Sequence, residues 1–171
     1  MAKKLLSDFD KLKFSVSATT RLPRQGEIDG LDYHFMTAHE FQDRVQNGEF
    51  LEWEEFYNGT MYGTLKAHVE SELEKGYFIM LDVDVLGALN VKNIYGEDAL
   101  TIFIKPPSMD ILEQRLRNRG TESEDSLEIR LKRAEKEITY ADKFDRIVVN
   151  DKIETAYSKI YQAVQNFISN Q

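Results

Sequence analysis

Arg21 and Arg24 stand three residues apart at the end of a hydroxyl-rich run, Ser15-Val16-Ser17-Ala18-Thr19-Thr20, in a 171-residue chain of formal net charge −8. Guanidinium groups present planar forks of donors that match phosphate oxygens two at a time, and nearby hydroxyls and backbone N–H groups can fill the remaining acceptor positions. Pro23, between the two arginines, fixes φ and stiffens the loop. Arg-x-x-Arg pairs are also common on solvated surfaces, so the pair gains meaning only from its surroundings. Cations gathered in one loop of an acidic chain describe a local anion site. A general affinity for nucleic acid is not expected, because that needs a basic face to displace counterions and the pI is near 5.0.

The length fits one domain able to bury a real core. With 42% hydrophobic and 11% aromatic residues the composition is that of a globular protein, and no run approaches the ~20 apolar residues that span a bilayer. No apolar segment near Met1 suggests export. Zero cysteines exclude disulfides and thiolate chemistry and fit a reducing compartment, so a cytoplasmic protein is expected, with neither nucleic acid nor membrane as partner. Both a monomer and a homodimer are compatible with it. His34, His39 and His68 share no metal-ligand spacing.

The elements that must position the arginines follow from periodicity and punctuation. Ala2 to Phe9 reads as the end of an amphipathic helix that opens without a capping residue, and Phe14 to Ser17 as a short strand. The arginine loop leads through Gly26 and Gly30 to an extended piece, Tyr33-His34-Phe35-Met36. Thr37 with Glu40 forms a capping box for a helix ending at Asn47-Gly48. Phe50 to Phe56 reads as a strand, Asn58-Gly59 as a tight turn, and Thr64 as the cap of a helix running to Lys75-Gly76. Tyr77 to Val83 is a continuous apolar run ending in Asp82 and Asp84, the pattern of a buried parallel strand with polar groups at its carboxyl end. A helix from about Gly87 to Ile94, a strand from Leu100 to Ile104, a helix after Ser108, an Arg/Glu-rich helical region from Arg115 to Tyr140, a strand from Arg146 to Val149 and a helix from Ile153 to Ile168 follow. Alternating strands and helices imply an α/β fold with a mainly parallel sheet and its ligand at the strands' carboxyl ends. The segment from Phe35 to Gly63 breaks that rhythm as an inserted subdomain would.

Further polar features line up after the arginine loop: Asp32-Tyr33, Leu51-Glu52-Trp53 and Met61-Tyr62-Gly63-Thr64. A buried carboxylate at Glu52 can accept two hydrogen bonds from the N1–H and exocyclic amine of guanine, a donor pair that adenine lacks. Tyr33 and Tyr62 can donate to a phosphate, and Thr64 to guanine O6. Taken singly, Trp53 reads as core, Tyr62 and Thr64 as strand residues and Glu52 as surface; their joint order favours the ligand reading.

Over essentially its whole length the sequence resembles guanylate kinases, which phosphorylate GMP with ATP. The resemblance rests on Ser17-Ala18-Thr19-Thr20-Arg21-Leu22-Pro23-Arg24, Gly30-Leu31-Asp32-Tyr33-His34-Phe35, Leu51-Glu52-Trp53, Tyr62-Gly63-Thr64 and Leu81-Asp82-Val83-Asp84. It continues through Pro106-Pro107-Ser108, Arg115 to Glu122, Arg130-Leu131 and Val148-Val149-Asn150-Asp151. The likeness implies a P-loop-kinase-like parallel sheet flanked by helices, with a GMP-binding subdomain at about 35–65 and a helical lid at about 109–140. It implies that Ser17, Arg21, Arg24, Tyr33 and Tyr62 hold the GMP phosphate, that Glu52 and Thr64 read the guanine, and that Asp82 and Asp84 lie near the nucleotide and its Mg2+. On the ATP side it points to Arg115, Arg119, Arg130 and Asn150, with Arg21, Arg115 and Arg130 as catalytic cations. Some of the Arg/Glu-rich stretch is expected to be exposed helix laced with i,i+4 pairs.

Two departures accompany the likeness. Leu86 stands before Gly87 where the family commonly has Gln, and Phe56 to Met61 differs from the usual lead into Tyr-Gly-Thr. More consequential, the family opens with a strand and a Gly-x-x-x-x-Gly-Lys-Ser/Thr loop that cradles the ATP phosphates. The sequence contains no such motif. With the uncapped first helix, this leads to the expectation that the chain is an incomplete copy of a longer enzyme, its first strand and P-loop lying outside it. The competing expectations are a catalytically inert guanylate-kinase-like binding module and a chain that binds GMP without turnover.

Overall fold

A computed structural model describes residues 1–56, 59–118 and 124–171. It divides into two compact units, residues 2–94 and residues 95–171 with Met1.

In the unit spanning 2–94, helix α1 (Ala2–Asp8) leads into strand β1 (Leu12–Phe14), and β6 (Phe78–Met80) lies parallel to it with Leu12 opposite Phe78 and Phe14 opposite Met80. A second sheet, of order β3-β2-β5-β4, holds β2 (Ala18–Thr19), β3 (His34–Phe35), β4 (Phe50–Glu55) and β5 (Met61–Leu65). Within it β2 and β3 are parallel, whereas β2 with β5 and β4 with β5 are antiparallel. The two-residue β2 is thus the seam between the arginine loop and the inserted hairpin, so the sheet reaches earlier in the chain than the expected subdomain. The extended run expected over 14–17 is split, because pairing with β6 stops near Phe14 and pairing with β5 begins at Ala18.

Helix α2 (Ala38–Gln46) starts as the capping box requires: Thr37 Oγ1 accepts from the Glu40 N–H, and the Glu40 carboxylate accepts from the Thr37 N–H. It ends at Asn47, with Gly48 at φ +68°, where a side chain would be strained. The helix buries Phe41, which stacks on Phe50 at 4.3 Å and packs with Ala18 and Met61. That core holds the hairpin's far face, and strand periodicity then turns Glu52 and Glu54 to the other face. Trp53, whose type suggests a core residue, is 46% exposed on the face opposite Glu52, touching Phe41 only edge-on. Helix α3 (Lys66–Glu74) has Leu65 at its N-cap with no side-chain hydrogen bond, so Thr64 is not its cap. Strand β5 runs one residue past Thr64, and the threonine hydroxyl is used within the hairpin instead. Helix α4 (Val85–Tyr95) follows β6 and carries the chain to the end of this unit.

In the unit spanning 95–171, β7 (Ile102–Lys105) and β8 (Arg146–Val149) are parallel, with Ile102 opposite Arg146 and Lys105 opposite Val149. Thr101 and Asp145 clip the two strands at their start: the Thr101 N–H and hydroxyl each lie 2.8 Å from Asp145 Oδ2. Helices α5 (Met109–Asn118) and α6 (Glu124–Ile138) replace the single helical region expected from Arg115 onward, and α7 (Ile153–Ser169) buries Ala156, Tyr157 and Ile160. Pairs of the i,i+4 kind lace α5 and α6: Glu113–Arg117, Glu128–Lys132 and Arg133–Glu137. Among the described residues no helix is long and apolar enough to cross a membrane.

Candidate active site

An open cavity of about 190 Å3 in the unit 2–94 is lined by Ser17, Tyr33, Glu52, Glu54, Phe56, Tyr62, Gly63, Asp82, Val83 and Asp84. Six residues chosen from the sequence, Ser17, Tyr33, Glu52, Tyr62, Asp82 and Asp84, therefore meet in one place, drawn from five separate stretches of chain.

One end is built around Glu52. Thr64, its cross-strand partner, donates its hydroxyl to Glu52 Oε1 at 2.5 Å, so Thr64 acts through the carboxylate. Asn90 of α4 donates to the Leu51 carbonyl and ties this part of β4 to the helix. Burial pushes the Glu52 carboxyl above its ordinary value; the Thr64 hydrogen bond opposes the shift and the charge of Asp84 adds to it. No cation neutralises it among the described ion pairs. A desolvated carboxylate with acceptor capacity in reserve suits neutral N–H donors. Asp84 accepts from the Gly87 N–H at 2.7 Å, capping the start of α4. A side chain at Gly87 would displace both carboxylates: a Cβ there would lie 2.9 Å from Asp84 Oδ1 and 3.0 Å from Glu52 Oε2.

The other end is organised by the loop after β2. The turn that delivers Tyr33 is held by Gly30, at φ +76°, whose N–H donates to the Tyr33 carbonyl, and by Asp29 and Asp32, which accept from the Phe35 and Ile28 N–H groups. Tyr33 and Tyr62 meet edge to face with ring centroids 6.0 Å apart. The Arg21 guanidinium lies 4.8 Å from the Tyr33 ring centroid and 5.5 Å from that of Phe35. Its Nη1 and Nη2 each donate to one Glu27 oxygen at 2.6 Å. That fork, with the Arg24 N–H behind it, holds the Glu27 carboxyl down at about 2. Arg24 is exposed and contributes its backbone to Glu27, while its side chain is not part of the cavity wall.

Glu27 and Gly87 were not legible as site residues. Glu27 carries no periodic signal, and its importance lies in a contact six residues away. Gly87 had one: Asp84 three positions earlier reads as an N-cap, which brings the helix start against the cavity.

In the unit 95–171, Arg115 donates from Nη1 to the Asn150 carbonyl at 2.8 Å and from Nη2 to the Asp151 carbonyl at 3.2 Å, joining two of the residues singled out there. Arg130 is exposed on α6. Arg119 lies outside the described residues.

Comparison with known proteins draws on the same residues. The family model for guanylate kinase matches residues 1–167. The chain belongs to the guanylate kinase family. It is 43% identical over 169 residues to the guanylate kinase of Chlorobium luteolum, covering 99% of this chain and 85% of the relative. It is 47% identical over 169 residues to that of Salinibacter ruber, covering 99% and 89%. The crystal structure of guanylate kinase from Anaplasma phagocytophilum is similar at a TM-score of 0.76 with 34% identity, over 96% of this chain and 79% of that one. The family's α/β architecture is therefore that of this chain.

Proposed function

We propose that the chain is a guanylate kinase whose cavity takes GMP, the acceptor in transfer of the γ-phosphoryl of MgATP to give GDP and ADP. The observation that carries the reading is Glu52: a carboxylate pushed up by burial, fixed by Thr64 and left without a cation, beside two tyrosines and an arginine suited to a phosphate. Guanine's N1–H and exocyclic amine together supply what the carboxylate lacks, whereas adenine would leave it buried against an acceptor. At the opposite end Arg21, Tyr33, Tyr62 and Ser17 receive the phosphate; Arg24, exposed on the same loop with its side chain outside the cavity wall, belongs to the same reading. An oxygen of that phosphate attacks the γ-phosphorus while the bond to ADP breaks, so positioning and charge compensation suffice and no covalent intermediate on the protein is needed.

Asp82 and Asp84 on the cavity wall fit Mg2+, which is held by one or two carboxylates and completed by phosphate oxygens and water. Bound there, it would offset charge on the phosphates. Among the described residues no group of three or more His, Asp or Glu forms a protein-only metal cage. Arg115, Arg119, Arg130 and Asn150 belong to the ATP side of the same reading, and the support for Arg115 and Asn150 is their mutual hydrogen bond.

Calorimetric titration with GMP and AMP tests the acceptor site, and detection of ADP from GMP and MgATP tests the transfer. GMP should bind at least ~10- to 100-fold more tightly than AMP, the cost of one unsatisfied buried acceptor. Equal affinities would refute the role of Glu52, and GMP binding with no ADP formed once a strand and Gly-x-x-x-x-Gly-Lys-Ser/Thr loop are joined ahead of the chain would refute the transfer while leaving the acceptor site standing.

A further inference from the structure

We infer that Glu27 is the positioning residue for the nucleotide phosphate: it sets the direction in which Arg21 presents its donors. The inference rests on the cavity being a GMP site. Arg21 has five N–H donors in a rigid plane. Both N–H groups of Nη1 are spoken for, by Glu27 Oε2 at 2.6 Å and the Leu22 carbonyl at 3.0 Å, and one of Nη2 goes to Glu27 Oε1 at 2.6 Å. These contacts anchor one edge of the guanidinium on the loop between Arg21 and Glu27. Its position over the Tyr33 ring, 4.8 Å from the centroid, joins the same group to the cavity wall.

Glu27 is a firm anchor. The Arg24 N–H donates to its Oε2 at 2.7 Å, and in the ion pair the Arg21 and Glu27 side chains are only 15% and 19% exposed. It is not part of the cavity wall, so it does not occupy the phosphate's seat. A carboxylate on the loop side of an arginine partly offsets its charge, yet it removes the rotamer freedom that a long side chain would otherwise lose on binding. Phosphate then meets a guanidinium already turned toward it. Because the function passes through the fork, it needs both the planarity of Arg21 and the charge of Glu27.

The test is calorimetry on the full chain with GMP and with guanosine, which lacks the phosphate, for the unmodified protein, Glu27→Gln, Arg21→Lys and the double variant. Glu27→Gln is nearly isosteric, and a thermal melt confirms that each variant is folded. The expected result is a ~10-fold or greater loss for GMP in Glu27→Gln with guanosine unchanged. Arg21→Lys should lose a similar factor, and the double variant no more than either alone, as for residues acting as one unit. Unchanged or tighter GMP binding in Glu27→Gln would overturn the inference, the tighter result meaning that Glu27 competes with phosphate. Equal losses for GMP and guanosine, or losses that multiply in the double variant, would also overturn it, since the loop would then be acting only as structure. If the unmodified protein takes up no GMP, the functional reading itself fails, and that outcome is separate from the others.

Discussion

Glu52, on β4, and Glu27, in the loop after β2, lie in the same compact unit of residues 2–94, yet their protons are held in opposite directions. Burial lifts the Glu52 carboxyl, with Thr64, chiefly through its hydroxyl, opposing it. The Arg21 fork and the Arg24 N–H bring that of Glu27 down to about 2. The first is a charge kept under-satisfied, the second a charge already spent on a cation. An under-satisfied acceptor discriminates among ligands, because what it lacks must come from the ligand. A saturated one cannot discriminate, but it can hold its partner still. In the proposed function the two carboxylates divide the work: Glu52 recognises the base, and Glu27 orients the cation proposed to bind the phosphate.

Glu52→Gln should break this division most severely. The amide can still accept from Thr64, but it presents one acceptor and one donor where guanine offers two donors. Charge-assisted hydrogen bonds are worth ~1.5–3 kcal/mol each, so GMP affinity should fall on the order of 100-fold or more. The melting temperature at neutral pH should hold or rise, since a charge that burial disfavours has been removed. Concurrent loss of stability would mean that Glu52 serves the fold before the ligand. Next in size is Arg21→Ala, expected to cost ~10- to 100-fold for GMP through its lost phosphate hydrogen bonds and little for guanosine; calorimetry with both ligands separates the ends of the cavity.

Titration sharpens the contrast, and its sign can be worked out. In the proposed role GMP requires ionised Glu52, whose carboxyl in the folded chain titrates above the reference 4.5. As pH falls through that raised value, affinity for GMP should decline before an ordinary carboxylate would begin to protonate. In the same window the ligand-free protein should gain stability from Glu52, because the folded state binds the proton more readily than the unfolded one. Glu27 behaves oppositely: its contribution is present above 4.5 and lost as pH falls toward about 2. His39 is also raised, from 6.5, by a hydrogen bond to its own backbone and by the charge of Asp43, so the Glu52 part is read as the difference between the unmodified protein and Glu52→Gln. A difference that does not change between neutral pH and 4.5 would contradict the lifted carboxyl.

Much of this arrangement could be read from the chain, and what could be read was mostly local. The Thr37–Glu40 box and the Asn47-Gly48 stop are short-range devices, and the structure reproduces them. Strand β8 over Arg146–Val149 stands where its apolar run places it. Ser17, Tyr33, Glu52, Tyr62, Asp82 and Asp84, singled out from the polar runs and the family resemblance, line one cavity. What escaped depends on pairing between distant residues. Thr64 looks like a cap because it precedes a helix, but its pairing with Glu52 continues the strand and redirects the hydroxyl. Trp53 looks like core by type, and only the hairpin's register turns it outward. Gly87 matters for the space beside Glu52, whereas the Asp84 spacing marks only a helix start.

A third carboxylate completes the comparison with the smallest expected effect on the ligand. Glu40 accepts from the Thr37 N–H and hydroxyl at the start of α2, which pulls its carboxyl below the usual range, and it has no place on the cavity wall. Thr37→Ala removes the reciprocal half of the box, so the Glu40 N–H loses its acceptor. Loss of an N-cap costs about 1 kcal/mol, which for a chain of this size lowers the melting temperature by roughly 2–4 °C. Helix α2 buries Phe41 against Phe50 on the face of the hairpin away from Glu52, and that packing should keep the strand in register while the first turn frays. GMP affinity should therefore stay within about twofold, a change of under ~0.5 kcal/mol. A drop as large as that of Glu52→Gln would show that the hairpin transmits strain from its core face to its ligand face, and the separation of structural from ligand-facing carboxylates would no longer hold.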